Sequence, residues 1–194
     1  MADSSKADFW DERYRDRVMP WDAGRAPADL RSFLRTVAPG ARVLVPGCGS
    51  AYEVYHLAKN GFDVLAVDFS AQAVALARRN LGRFADAVRV ADFFDFDSGA
   101  KPFDLIYERA FLCALPRKLW PAYASRCAEL LAPGGLLAGF FFYDSSPKGP
   151  PFGTSPEELH GLLDPLFELL EDRRATESLP VFGDGEHWQV WRRL

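Results

Sequence analysis

The chain has 194 residues, 48% of them hydrophobic, which favours one domain with a substantial packed core. A formal net charge of −4 at pH 7 argues against a broad surface for nucleic acid or anionic membranes. The most apolar stretch, residues 130–143, contains Pro133 and several glycines and is shorter than the roughly 20 apolar residues that span a bilayer. The start of the chain lacks the pattern of a secretory signal. We therefore expect a soluble, cytoplasmic protein with neither nucleic-acid nor membrane partners.

The cysteines Cys48, Cys113 and Cys127 make an odd count without the spacing of a disulfide framework. Each lies in or beside a segment that is typical of a core, so we expect reduced thiols. No pair of residues has metal-ligand spacing, and no metal site is predicted.

Residues 1–40 are typical of two short helices joined by a loop rich in proline and glycine, and we interpret them as a helical lid. The first strand is predicted at 42–45. Ser50 followed by Glu53 predicts a capping box that starts the next helix. The second strand is predicted at 62–67.

The middle of the chain continues the alternation of strands and helices. Ser70 is predicted to cap a helix, and short strands follow at 87–90 and 103–107. Pro116 is predicted to open another helix, after which a buried fifth strand covers 136–143.

The last part of the chain contains a second capping box, Ser155-Pro156-Glu157-Glu158, and two strands at 167–171 and 187–191 that form an antiparallel pair. The alternation predicts the α/β class, with a Rossmann-like, doubly wound sheet of seven mostly parallel strands. We expect residues 1–194 to form a single domain, of which 41–194 is the α/β core.

The strongest local signal for a ligand is V-L-V-P-G-C-G-S, in which a buried strand runs into Gly47 and Gly49 and a helix follows. Glycine permits a sharp turn and a close approach of backbone to ligand, although an ordinary tight turn has the same pattern. Asp68 ends the second strand, at the sheet edge where an acid accepts bonds from ribose hydroxyls. The alternative for Asp68 is a charge at the N-terminus of the next helix.

The residues also favour one nucleoside cofactor over another. Tyr52 stands where a dinucleotide fingerprint has its third glycine, which disfavours a pyrophosphate at the helix start. Asp92, Phe93 and Phe94 follow the third strand, where an acid and aromatic rings suit adenine. These residues favour S-adenosylmethionine, with S-adenosylhomocysteine as product. A nicotinamide-dependent oxidoreductase and a catalytically silent nucleoside-binding protein are the alternatives.

Four motifs, in this order, resemble the thiopurine S-methyltransferase family and within it the plant-type halide/thiol methyltransferases. They are F-W-D-E-R-Y with P-W-D-A-G-R-A-P, V-L-V-P-G-C-G-S, F-D-L-I-Y-E-R-A-F-L-C-A-L and G-P-P-F. The resemblance covers nearly the whole chain and implies the class I methyltransferase fold. Arg109 matches the thiopurine branch, whereas plant halide enzymes carry tyrosine there, so both branches stay open.

The resemblance also implies which residues bind the cofactor. Aromatic residues of the N-terminal segment cover it, and the remaining contacts follow the strands. The cofactor set is Trp10, Tyr14, Trp21, Gly47, Gly49, Asp68, Phe69, Asp92, Phe93 and Arg109. Trp10 and Trp21 alternatively anchor the N-terminal helices, and Arg109 alternatively pairs with Glu108 or Asp92.

We expect methyl transfer by in-line displacement, which needs alignment and exclusion of water more than acid–base catalysis. No catalytic residue is therefore assigned. The predicted acceptor is a small soft nucleophile, such as a thiol, thiopurine, halide, thiocyanate or chalcogen compound, since such groups ionise with little help. Arg25, Tyr143 and Phe152 are the candidate acceptor-binding residues. We expect a monomer.

Overall fold

Seven strands form one sheet in a computed structural model that describes residues 3–146 and 148–194. The strands are β1 (Arg42–Pro46), β2 (Asp63–Asp68), β3 (Val88–Val90), β4 (Phe103–Arg109), β5 (Leu131–Phe142), β6 (Phe167–Arg174) and β7 (Glu186–Arg193). The helices are α1 (Ala7–Asp16), α2 (Ala28–Phe33), α3 (Tyr52–Lys59), α4 (Ala71–Leu81), α5 (Trp120–Leu130) and α6 (Pro156–Leu163).

The strand order is β3-β2-β1-β4-β5-β7-β6, with β1 to β5 parallel and β7 antiparallel to both of its neighbours. The predicted doubly wound, mostly parallel sheet with a closing antiparallel pair is confirmed. The order reverses between β1 and β4. In such sheets a ligand binds beyond the carboxyl ends of the strands at this reversal.

The sheet is covered on both faces, which explains why its central strands are apolar at every position. Successive side chains point to opposite faces. Leu44 and Ile106 therefore pack with α5 and α6, whereas Val43 and Leu105 pack with α2, α3 and α4. Two separate hydrophobic clusters hold the central strands between them.

Two of the predicted helix caps are confirmed. The hydroxyl of Ser70 accepts a hydrogen bond of 3.1 Å from the backbone N–H of Ala73. Ser155 and Glu158 form the reciprocal capping box that was predicted at the start of α6. In each case the backbone donors freed at a helix start are satisfied locally.

The predicted capping box of Ser50 and Glu53 is wrong. Gly47, Gly49 and Ala51 all have positive φ, and Ala51, not Ser50, is the N-cap of α3. The hydroxyl of Ser50 instead donates to the carboxylate of Asp22. The glycine loop turns the chain so tightly that Ser50 faces the N-terminal segment rather than the helix start.

Some element boundaries also differ from the prediction. Pro116 precedes a short 3-10 turn, Arg117–Leu119, and α5 begins only at Trp120. Strand β5 begins at Leu131 because that residue already pairs with Phe103, ahead of an irregularity in the register.

All three cysteines are buried and free, as expected. Within residues 3–146 and 148–194, no cluster of histidine, cysteine and acidic residues has the arrangement of a metal site. No helix in the same ranges combines the length and apolarity needed to cross a membrane.

Candidate active site

A cavity of about 400 Å³ lies at the carboxyl ends of β1 to β4 and is covered by the N-terminal segment. The structure brings all ten residues of the predicted cofactor set to its wall: Trp10, Tyr14, Trp21, Gly47, Gly49, Asp68, Phe69, Asp92, Phe93 and Arg109. The volume is in the range of pockets that enclose a small ligand. Arg25 also lines it, at the rim.

Tyr143 and Phe152, two of the three candidate acceptor residues, do not line this cavity. The Tyr143 hydroxyl accepts a bond of 2.7 Å from Gln189, and residue 143 forms a β-bridge with Thr154. Phe152 packs against the core, and its backbone N–H donates to the carbonyl of Cys113 over 2.6 Å. Both side chains therefore lie outside the cavity, and among the described residues between 143 and 152 Pro150 and Pro151 line it.

The glycine loop is shaped by both backbone conformation and close contact. Gly47 has φ +57°, and a side chain there would collide with the ring of Phe111. Gly49 has φ +51°, and a Cβ there would lie 2.7 Å from the hydroxyl oxygen of Tyr14. Left-handed backbone is costly for residues with a Cβ, so glycine is required at both positions.

Asp68 is buried beneath the glycine loop at the end of β2. Its Oδ2 accepts a hydrogen bond of 3.1 Å from the backbone N–H of Gly49, and Oδ1 accepts one of 2.9 Å from Ser70. Burial raises the pKa of Asp68 to about 6, although these two hydrogen bonds oppose the increase. Asp68 therefore supports the start of α4 and also presents a carboxylate to the cavity.

The residues after β3 form the apolar end of the site. Phe93 is almost fully buried and packs edge-on against Phe94 and Phe111, with ring centroids 5.3 Å apart in both pairs. Asp92 accepts a bond of 3.0 Å from the N–H of Phe94, which fixes the turn. Phe94, the second aromatic residue of the predicted adenine contact, lines the cavity as well.

Three aromatic rings from the N-terminal segment cover the glycine loop. Trp21 packs edge-on against Trp10 and Tyr14, at centroid distances of 5.3 and 6.2 Å. Burial raises the pKa of Tyr14, and the nearby Asp68 adds to the effect. The rings remain only partly buried, so they also present aromatic surface to the cavity.

Aspartates hold this segment on the rest of the protein. Asp11 accepts hydrogen bonds from the Ser70 hydroxyl at 2.6 Å and the Gln72 N–H at 3.1 Å, while Asp22 accepts from the Ser50 hydroxyl. Two of these partners, Ser50 and Ser70, lie directly beside the glycine loop and Asp68. The covering segment is therefore bonded to the same two loops that line the cavity.

Arg109 ends β4 with its side chain only 7% exposed. Its Nε lies 3.7 Å from Oε1 of Glu186, and its guanidinium carbon lies 4.5 Å from the ring centre of Phe140. Neither of the predicted partners, Glu108 or Asp92, pairs with it. Within the described part of the chain, Nη1 of Arg109 has no hydrogen-bond partner.

Sequence reasoning missed two acids in the cavity wall, Asp22 and Glu53. Burial raises the pKa of Glu53, and Arg109 opposes this increase. A usable signal was present, because the first turn of a helix that follows a glycine loop faces the ligand crevice. For Glu53 this signal was not used, because the residue was interpreted as part of a capping box with Ser50.

These residues fit S-adenosylmethionine. Two glycines permit close approach, the Asp68 carboxylate suits ribose hydroxyls, and partly exposed rings suit a sulfonium cation. The guanidinium of Arg109, which lines the cavity, suits a carboxylate. The side chain of Tyr52 lines the cavity at the start of α3, where a dinucleotide places its pyrophosphate.

Comparison with known proteins agrees with this fit. The sequence profile of the family Thiopurine S-methyltransferase (TPMT) matches residues 5–193. The chain belongs to the thiopurine S-methyltransferase family. The resemblance noted in the sequence is thereby confirmed, and with it the assignment as an S-adenosylmethionine-dependent methyltransferase.

Relatives in this family act on different acceptors by name. The chain is 33% identical to "Probable thiol methyltransferase 2" of Arabidopsis thaliana over 168 residues, covering 83% of this chain and 74% of that protein. It is 30% identical to a thiopurine S-methyltransferase of Legionella pneumophila (strain Paris) over 171 residues, covering 78% and 77%. It is 27% identical to thiocyanate methyltransferase 1 of Arabidopsis thaliana over 195 residues, covering 95% and 84%.

Solved structures show the same fold. The 1,6-didemethyltoxoflavin-N1-methyltransferase of Burkholderia thailandensis, solved with S-adenosylhomocysteine, superposes with a TM-score of 0.73 at 22% identity. The match covers 96% of this chain and 86% of that one. The class I methyltransferase fold expected for the family is therefore present, and the nicotinamide alternative is set aside.

Proposed function

We propose that this methyltransferase acts on a small thiol with an apolar body. The observation that supports this proposal is an apolar part of the cavity wall beyond Arg109. It is formed by Pro150, Pro151, Val181 and Phe182. This wall lies on the β4–β7 side of the cavity, away from the predicted adenosine contacts at β2 and β3. An apolar wall stabilises an apolar substrate body, whereas a hydrated anion would lose water without compensation there.

The cofactor, when bound, supplies a methyl group activated by the positively charged sulfur. The chain's own residues then align the reactants and exclude water. Trp10, Tyr14 and Trp21 cover the site with aromatic faces that attract a cation, worth about 0.5–2 kcal/mol per good contact. A thiol has a pKa of about 8.5 and needs little assistance to ionise. Alignment and a dry site therefore account for most of the catalysis we propose.

An inorganic anion such as thiocyanate is the second candidate acceptor. The supporting observation is that two arginines line the cavity: Arg109, and Arg25 at the rim, which is largely exposed with Glu177 at 3.4 Å. Both guanidiniums nevertheless have carboxylate neighbours, which reduces their attraction for a free anion. We therefore rank the thiol first.

The test is a labelled methyl-transfer assay with an apolar thiol, a thiopurine, thiocyanate and iodide. We expect the highest kcat/KM for the apolar thiol. Val181→Thr keeps the volume of the wall but adds a hydroxyl, and it should raise KM for the thiol several-fold without changing the affinity for S-adenosylhomocysteine. Tyr143→Phe, outside the cavity, is the matched control and should leave KM unchanged. A higher kcat/KM for thiocyanate or iodide than for every thiol would refute the proposal.

We also propose that the chain acts as a monomeric, cytoplasmic single domain in which the N-terminal segment is a lid. Trp10, Tyr14 and Trp21 of the N-terminal segment line the cavity, which supports the lid, and the three buried thiols are free, which supports a reducing compartment. Light scattering after size-exclusion chromatography measures the oligomeric state. A dimer at micromolar concentration would contradict this part.

A further inference from the structure

The loop between β6 and β7, residues 175–185, supplies two residues of the apolar wall. Val181 and Phe182 from this loop line the cavity. The loop contains a short 3-10 turn, Pro180–Phe182, and the ring of Phe182 packs 5.3 Å from the ring of Phe142. Several other residues of the loop are exposed. A loop with so much exposed surface needs further contacts to keep its two cavity residues in place.

One of these contacts comes from the buried carboxylate of Glu186, the first residue of β7. Its Oε2 accepts hydrogen bonds from the Ser178 hydroxyl at 2.7 Å and from the Leu179 N–H at 2.9 Å. Its Oε1 lies 3.7 Å from Nε of Arg109 at the end of β4. Glu186 therefore ties the middle of the β6–β7 loop to the strand end that borders the cavity.

A second contact comes from Asp29, in the first turn of α2, which is also buried. Its Oδ2 accepts a hydrogen bond of 3.0 Å from the Thr176 N–H, and its Oδ1 accepts one of 2.7 Å from the Thr176 hydroxyl. The same Oδ1 pairs with the guanidinium of Arg173 at the end of β6. Asp29 therefore ties the start of the loop to the N-terminal segment.

Two buried carboxylates thus hydrogen-bond to one loop. A carboxylate removed from water costs free energy unless hydrogen bonds replace its hydration, and the loop supplies donors to both acids. Breaking these bonds would leave a buried charge poorly compensated, so they favour a single conformation of the loop. An apolar wall that is fixed before binding avoids the entropy cost that ordering a mobile wall would add.

We propose that Asp29 and Glu186 are positioning residues for the acceptor: they hold the β6–β7 loop so that Val181 and Phe182 face the apolar body of the thiol. The inference rests on the proposed function, because it concerns the acceptor that meets this wall. Asp29 belongs to the N-terminal segment, which also covers the glycine loop. The same segment therefore fixes the acceptor side of the cavity.

The test is the double variant Thr176→Val/Ser178→Ala, which removes one hydroxyl donor from each carboxylate and leaves the backbone donors in place. Neither residue lines the cavity. The loss of two hydrogen bonds to charged groups should raise KM for an apolar thiol by about 3- to 30-fold. The affinity for S-adenosylhomocysteine in calorimetry should not change. The kcat/KM for hydrosulfide, which has no apolar body, should not change either, whereas a merely less stable fold would affect both acceptors alike.

Hydrogen exchange measures the loop without any acceptor. The N–H groups of residues 179–185 include those of Phe182 and Gly185, which bond to carbonyls within the loop. In the double variant these groups should exchange faster than in wild type, while those of the central strands keep their protection.

The matched control is Ser32→Ala/Thr36→Val, the same two substitutions at exposed hydroxyls near the end of α2. The Ser32 hydroxyl accepts a bond of 3.1 Å from Arg35, and the Thr36 hydroxyl donates one of 2.7 Å to the carbonyl of Phe33. This control should change neither KM nor exchange in the loop, and thermal melting checks that both double variants fold.

Unchanged exchange in residues 179–185 of the Thr176→Val/Ser178→Ala variant would overturn the inference, whatever the acceptor. Faster exchange with an unchanged KM for the apolar thiol would overturn it too, as would an equal loss of kcat/KM for the thiol and for hydrosulfide. A wild-type preference for thiocyanate or iodide is a different result. It would refute the proposed acceptor, which the comparison of variants does not test.

Discussion

Replacing Glu108 by glutamine should change how the stability of this protein depends on pH. Glu108 is 1% exposed. Its Oε1 accepts hydrogen bonds of 2.8 and 3.3 Å from the N–H groups of Phe111 and Leu112. Within the described residues, Oε2 has no partner. Burial raises the pKa of Glu108 from 4.5 to about 7 against the effect of the two backbone donors.

The direction of the effect follows from the protons bound by each state. Between pH 4.5 and about 7 the folded chain keeps a proton on Glu108 that the unfolded chain has lost, so wild-type stability falls as pH rises. At 1.36 kcal/mol per pKa unit, ionised Glu108 costs about 3 kcal/mol above pH 7. Glutamine cannot ionise. The stability of the variant relative to wild type should therefore rise by about 2–3 kcal/mol between pH 5 and pH 8.5.

Urea denaturation of both proteins at several pH values measures this difference. The unpaired amide of the new glutamine adds a constant penalty, so the decisive quantity is the change with pH and not the absolute stability. Contributions from other groups, such as buried Asp68, cancel between the two proteins. Glu12→Gln, on the exposed face of α1, is the control. A difference between Glu108→Gln and wild type that stays constant from pH 5 to pH 8.5 would refute the reasoning.

Three further predictions concern the cofactor site. Asp68→Asn should weaken S-adenosylhomocysteine by about 5- to 100-fold in calorimetry, because a charged acceptor is lost; unchanged affinity would remove Asp68 from the site. Gly49→Ala should lower the melting temperature by several degrees and weaken cofactor binding, since its Cβ would lie 2.7 Å from the Tyr14 hydroxyl at φ +51°; a normal melting curve would contradict this. Ser50→Ala removes the hydroxyl that Asp22 accepts from, and we expect faster hydrogen exchange in residues 4–25 with the sheet unchanged; protection equal to wild type would show that this bond does not hold the segment.

Much of the fold was predictable because its signals are local. Strands with apolar residues on both faces, such as 42–45 and 62–67, indicate burial under helices wherever they occur. Gly47 and Asp68 each follow such a strand, and parallel strands place their carboxyl ends at one edge. The cofactor edge therefore followed from strand position alone.

The two S-x-x-E motifs show where local reasoning fails. Ser155 forms its capping box at an exposed helix start, and the box persists although Arg117 also pairs with Glu158 at 3.0 Å. Ser50 lies beside a glycine loop with left-handed backbone, and its hydroxyl bonds to Asp22 from a distant part of the chain. The same sequence motif thus gives different structures because the hydroxyl of Ser50 bonds to a distant residue, whereas the hydroxyl of Ser155 accepts from the start of its own helix.

By itself, the sequence determined the α/β fold class, the glycine turn and the acid at the end of β2. Each of these depends on residues that are neighbours in the chain. Only the tertiary structure decided which charges meet. Arg109 pairs with Glu186 of a distant strand, Glu53 faces the cavity, and Tyr143 turns away from it to bond Gln189. Pairings of this kind depend on how separate elements pack, and chain spacing carries no information about that packing.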